Sequence, residues 1–92
     1  MTLGIILGSS VLDSTIFQNL EQVVVNTEYG DIKALKGVVK NTPVMIIRRH
    51  QCDVNNAYMP PHAINYHAVI SAFKLGGCEH IVALYHFFLN FI

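Results

Sequence analysis

Residues Leu3 to Leu7 form a short apolar run that stops at Gly8 and passes at once into Ser9 and Ser10. A run of this length bounded by a glycine has the pattern of a buried strand, and a buried strand needs a sheet with other elements packed on it. The order strand, glycine, hydroxyls also gathers main-chain N–H and side-chain O–H groups that could receive an oxyanion. Ordinary turns use the same residues for backbone reasons, so this segment by itself selects a fold class and not a ligand.

The rest of the chain repeats the strand pattern with one helix inserted. A polar loop with Asp13 and Ser14 leads to a possible helical turn near Ile16. Val23, Val24 and Val25 make Glu21 to Asn26 a second strand, and Ala34 to Val39 is a third, weakened by Gly37. After a turn at Lys40 to Pro43, the apolar segment Val44 to Ile47 is a fourth strand that delivers Arg48, Arg49 and His50 at its end. Gln51 to Met59 reads as an irregular polar loop. Pro60 and Pro61 then set up a helix over His62 to Leu75, with Tyr66, Val69, Ile70 and Phe73 on one apolar face and Gly76 and Gly77 as its stop. His80 to Leu84 is a further buried-type strand. The fold expected is α/β, a partial twisted mixed sheet of about five strands with one main helix, in a single unit over residues 1–92.

Composition narrows the function classes. Hydrophobic residues make up 52% of the 92 and charged residues 13%, so this small domain is expected to hide part of its surface against more chain or a partner. Six Lys and Arg balance six Asp and Glu with no basic run, which argues against nucleic acid and anionic membrane as partners. Leu3 to Leu7 lacks a preceding basic residue and is unlike a secretory signal. The apolar stretch from Ile81 to Ile92 is shorter than the ~20 residues that a membrane-spanning helix needs. Cys52 and Cys78 have no CxxC or zinc-type spacing and fit reduced thiols in a cytoplasmic protein.

Most chemical motifs are missing from the sequence. It has no GxGxxG, no P-loop and no GxSxG elbow, and His62, His67, His80 and His86 do not fall at metal-ligand spacing, so neither a metal nor a covalent nucleophile is expected. Phosphate handling is the clue that remains. Arg49 could grip a phosphate with its planar guanidinium and His50 could add a hydrogen bond, although a solvated strand end would use the same residues.

In order along the chain, Gly4-Ile5-Ile6-Leu7-Gly8-Ser9, Thr27-Glu28-Tyr29-Gly30, Arg49-His50 and Pro60-Pro61-His62-Ala63-Ile64-Asn65-Tyr66-His67-Ala68 resemble successive landmarks of the methylthioadenosine phosphorylase family of purine nucleoside phosphorylases. The likeness runs from Gly4 to about Leu84 and covers the first part of a family member. It implies that inorganic phosphate attacks the anomeric carbon of a purine nucleoside or methylthionucleoside and displaces the base, without a metal or organic cofactor. Ser9, Arg49 and His50 match the family's phosphate-binding residues, while Asn65 and Tyr66 read as helix-start and packing residues. Complete members are homotrimers. Ser10 stands where the family has glycine, and Gln51 to Met59 lacks a further phosphate-facing histidine. From Tyr85 to Ile92 the sequence departs from the family pattern, and no candidate for leaving-group activation or other catalytic role is present. The expectation is a truncated chain with little phosphorylase activity alone. The alternative is a non-catalytic interaction module that docks through the apolar tail from Tyr85 to Ile92.

Overall fold

The computed structural model describes residues 2–7, 19–55 and 58–84. Five strands form one mixed sheet: β1 (Thr2–Leu7), β2 (Glu21–Thr27), β3 (Gly30–Val39), β4 (Thr42–Arg48) and β5 (Cys78–Leu84), in the order β2-β3-β4-β1-β5. β4, β1 and β5 are parallel, whereas β2-β3 and β3-β4 are antiparallel. Among the described residues a single α-helix, α1 (Tyr66–Leu75), follows a short 3-10 turn at Pro61–Ala63. The expected α/β class, strand number and main helix are all present.

Loop chemistry explains the antiparallel half. Lys40 and Asn41 both have positive φ, 47° and 69°, which is the geometry of a two-residue hairpin turn between right-twisted strands. Gly30 has φ 134° and closes the β2-β3 hairpin, where the Tyr29 N–H donates to Thr27 Oγ1 at 3.1 Å. Beginning at Gly30, β3 is longer than the sequence pattern suggested. Asp31 and Lys33 are polar and mask the alternation around buried Ile32, but pairing with Val24 to Asn26 carries the ladder down to the turn.

Two apolar layers cover the sheet. On one face Ile32, Ala34, Met45, Ile47 and Cys52 pack against Ala68, Val69, Ala72 and Phe73 of α1. On the other face Ile5, Leu7, Val44 and Ile46 form a second cluster, with Leu3, Leu20, Leu35 and Val39 against it. Burial on both faces is why β1 and β4 read as continuous apolar runs.

The helix buries a different stripe from the one its large residues suggest. Ala68, Val69, Ala72 and Phe73 face the sheet, while Tyr66 and Ile70 are 45% and 41% exposed. Close approach explains the rotation. A Cβ placed on Gly4 would lie 2.7 Å from the Phe73 ring, so the helix sits down on a bare backbone and needs alanines beside it. Tyr66 and Ile70 instead line a surface groove of about 320 Å³ with Tyr29, His67, Ser71 and Lys74.

Candidate functional site

The carboxyl ends of parallel strands are where open α/β sheets place ligands, because the loops there diverge and leave a crevice. Here that edge is formed by Leu7 of β1 and Arg48 of β4, which are register partners. Immediately beyond them the Arg49 N–H donates to the Leu7 carbonyl oxygen at 3.1 Å. A tight turn follows, closed by the Gln51 N–H donating to the Arg48 carbonyl at 2.9 Å.

This turn is an excursion from a ladder that later resumes. β4 pairs with β3 up to Ile46 opposite Leu35, and the next bridge joins Asp53 to Ile32. Six residues on the β4 side, 47–52, therefore span the gap that two, 33 and 34, span on β3, and the excess is the segment that carries Arg49 and His50. The Lys33 N–H donates to the Cys52 carbonyl at 2.8 Å and fixes the far end. Both ends of the excursion are thus tied to the sheet, which is how a functional loop is held on a rigid frame.

His50 is the buried member of the pair, 7% exposed. Its Nδ1 lies 2.8 Å from the Met59 carbonyl oxygen, and the Met59 N–H donates to the His50 carbonyl at 2.7 Å. A carbonyl can only accept, so Nδ1 carries a proton. The Arg49 Nε–H points to His50 Nε2 at 3.4 Å. The Tyr58 ring stacks on the imidazole with 5.3 Å between centroids and 10° between planes. The Cys52 thiol donates to the Arg49 carbonyl at 3.5 Å, and burial pushes this thiol above its ordinary range.

Of the three residues expected to hold phosphate, Arg49 and His50 are adjacent and in contact. Ser9 lies outside the described residues, as does the tail over 85–92. Arg48 takes the other direction: it shares a small cavity with Gln22, Lys33, Leu35 and Gln51 on the Ile46 side of the sheet. Tyr58 and Met59 sit at the end of a loop whose polar composition carries no motif that singles them out. His62, His67 and His80 are exposed, and among the described residues no group of three or more His, Cys, Asp or Glu could hold a metal ion. Asn65 caps α1 by accepting from the Ala68 N–H, as a helix-start residue should. Among the described residues no helix is long and apolar enough to cross a membrane.

Comparison with known proteins adds a consistent set of relatives. No family model matches the chain. It is 37% identical over 81 residues to the 6-oxopurine nucleoside phosphorylase of Pyrococcus furiosus, covering 88% of this chain and 29% of that protein. It is 36% identical over 83 residues to the S-methyl-5'-thioadenosine phosphorylase of Anopheles gambiae, covering 87% and 28%. Among solved structures, the methylthioadenosine phosphorylase of Schistosoma mansoni in complex with adenine superposes with a TM-score of 0.72 at 31% identity, over 89% of this chain and 28% of that one. A variant of the Schistosoma mansoni enzyme in complex with methylthioadenosine gives a TM-score of 0.74 at 30% identity. The chain spans about 30% of the length of the relatives it matches. Over that span its sequence and its fold are similar to those of nucleoside phosphorylases.

Proposed function

Taking this likeness to nucleoside phosphorylases as the premise, we propose that these 92 residues carry the phosphate-gripping part of a purine nucleoside phosphorylase of the methylthioadenosine type. The observation that supports it most is the Arg49-His50 pair, held in an excursion at the carboxyl ends of two parallel strands, the end of the sheet at which such folds take ligands. Ser9, two residues past Leu7 in sequence, is the third phosphate ligand.

In the reaction, a phosphate oxygen forms a bond to the anomeric carbon as the N-glycosidic bond breaks. The bonding pair leaves with the purine, which takes up a proton, and the products are the base and a ribose 1-phosphate derivative. Arg49 and His50 hold the nucleophile beside the sugar, where it offsets the positive charge of an oxocarbenium-like transition state and where fixed placement removes much of the entropic barrier. Phosphate is a co-substrate, and neither a metal nor an organic cofactor takes part. Purine nucleosides or methylthionucleosides are the partners, the setting is cytoplasmic, and complete members of the family act as homotrimers. Residues 1–92 form one N-terminal portion of such a domain, with 85–92 departing from its pattern.

These 92 residues span about 30% of their relatives' length, and phosphate binding is the step of the reaction that their Arg49-His50 pair puts to the test. Isothermal titration with inorganic phosphate tests the assignment directly. Binding that disappears on replacement of Arg49 supports it; heat traces indistinguishable from buffer at millimolar phosphate would remove it.

A second reading rests on β5. Among the described residues it pairs with β1 alone, and Ile81 and Val82 on it are exposed. An open, apolar strand edge invites pairing with another chain, so a non-catalytic role in association is the alternative. Sedimentation of the purified chain separates the two, because a monomer that binds phosphate fits only the first.

A further inference from the structure

We propose that Tyr58 and the main chain of Met59 are positioning groups for His50: they fix its imidazole as the Nδ1–H tautomer and hold Nε2 toward Arg49, so that the two side chains meet an oxyanion as one unit. The anion half of this inference rests on the phosphate reading above; the tautomer half does not.

Three contacts converge on the ring. The Met59 carbonyl takes the Nδ1 proton at 2.8 Å, and the reciprocal bond from the Met59 N–H to the His50 carbonyl at 2.7 Å makes the contact a two-point clamp. A clamp of this kind removes both translation along the loop and rotation about the ring's attachment. The Tyr58 ring lies nearly parallel on one imidazole face. Tyr58 is 60% exposed and His50 only 7%, so the phenol ring is the layer between the imidazole and water. The third contact fixes the sense of the arrangement. A guanidinium N–H can only donate, and an Nε2–H would set two protons against each other; the Arg49 contact at 3.4 Å therefore needs the lone pair on Nε2. With Nδ1 engaged by the Met59 carbonyl, an anion that displaces the Arg49 contact meets the ring at Nε2, whose lone pair can accept from a protonated phosphate oxygen while the freed guanidinium N–H donates to the anion.

This arrangement gives Tyr58 a role that its place in the chain conceals. Hydrogen-bond partners behind a binding histidine set which nitrogen faces the ligand. Here that partner is a backbone carbonyl, and the aromatic residue preceding it keeps the ring from turning away. A purely structural Tyr58 would change thermal stability when removed but would leave the imidazole proton on the same nitrogen.

The test uses the full chain, labelled with 15N, with imidazole nitrogen correlation spectra recorded before and during titration with inorganic phosphate. The expected parent spectrum shows His50 with a pyrrole-type Nδ1 and a pyridine-type Nε2. In Tyr58→Ala the two tautomers are expected to mix and the phosphate dissociation constant to rise about three- to tenfold, the size of one lost ring-stacking contact. Tyr58→Phe, which keeps the ring and drops the hydroxyl, should match the parent in both readouts. If Tyr58→Ala does not fold, Tyr58→Leu supplies the comparison, since it keeps apolar cover but offers no parallel face. A parent His50 protonated at Nε2 overturns the inference, and so does a Tyr58→Ala or Tyr58→Leu protein with the parental tautomer and affinity. A parent with the expected tautomer but no phosphate binding overturns the phosphate reading and the anion half of the proposal, and leaves the clamp established.

Discussion

The Arg49 main-chain N–H donates to the carbonyl oxygen of Leu7, so the residue expected to grip phosphate hangs from the last carbonyl of β1. Leu7 is fully buried and its register partners are Arg48 on one side and Leu84 on the other, which sets this carbonyl in a strand paired along both edges. The backbone that presents Arg49 therefore needs little reordering when an anion arrives, and preorganisation of this kind is what converts a charge into useful binding.

The guanidinium fork, and not charge alone, should carry the affinity. Arg49→Ala is expected to weaken binding of inorganic phosphate about ten- to a hundredfold, the range of one hydrogen bond to a charged group. Arg49→Lys keeps the charge but not the paired donors and should fall between the two. Isothermal titration of the three proteins decides this, and parental affinity in Arg49→Ala would take Arg49 out of the site.

Gly4 is a packing residue. Its missing side chain makes room for the ring of Phe73, which is itself fully buried and cannot swing aside. Gly4→Ala is expected to cost about 1–3 kcal/mol, as overpacked core sites do. Thermal melting reads the loss directly; an unchanged midpoint would mean that α1 does not seat on β1 as described.

Much of this was legible in the sequence, and the failures share a cause. β1 and β4 announce themselves because residues on both faces are apolar, and Arg49-His50 announces itself as a polar pair at a strand end. The first half of β3 stays hidden because Asp31 and Lys33 surround the single buried Ile32, and only the partner strand reveals the pairing. The buried face of α1 is misread for a related reason: Ala68 and Ala72 carry the contact with the sheet, yet alanine adds little to an apolar pattern beside Tyr66 and Ile70. The Met59 contact with His50 runs through a backbone carbonyl nine residues on, and no side-chain motif records it.

The two thiols should differ in reactivity. Cys52 is buried, and desolvation raises its pKa, with Asp53 acting in the same direction against a backbone hydrogen bond and Lys33. Cys78 is raised as well, by a lesser burial that Lys36 opposes, and it is only partly covered. Iodoacetamide at mildly alkaline pH is therefore expected to modify Cys78 first, as read by peptide mass mapping. The sign for stability follows. Above about pH 8.5 the unfolded chain loses thiol protons that the folded chain keeps, so it binds fewer protons and stability falls as pH rises. The melting midpoint should drop more steeply between neutral and alkaline pH in the parent than in Cys52→Ala, and equal slopes would place Cys52 in water.

Asn65 joins two elements far apart in sequence. Its Oδ1 accepts from the Ala68 N–H at 3.1 Å and caps α1, while its Nδ2 donates to the Tyr29 carbonyl at 2.8 Å and ties the β2-β3 hairpin to the helix start. The two atoms can be separated by substitution. Asn65→Ala removes both bonds and should cost about 1–2 kcal/mol, the range of a lost cap with one further hydrogen bond. Asn65→Asp keeps the cap, and its negative charge suits a helix N-terminus, but it sets a carboxylate against the Tyr29 carbonyl. Hydrogen exchange distinguishes the outcomes: in Asn65→Asp the amides around Tyr29 and Gly30 should lose protection while those of α1 keep theirs, and in Asn65→Ala both sets should weaken. If Asn65→Asp left the hairpin as protected as in the parent, the tether to Tyr29 would contribute nothing to holding β2 and β3 against the helix.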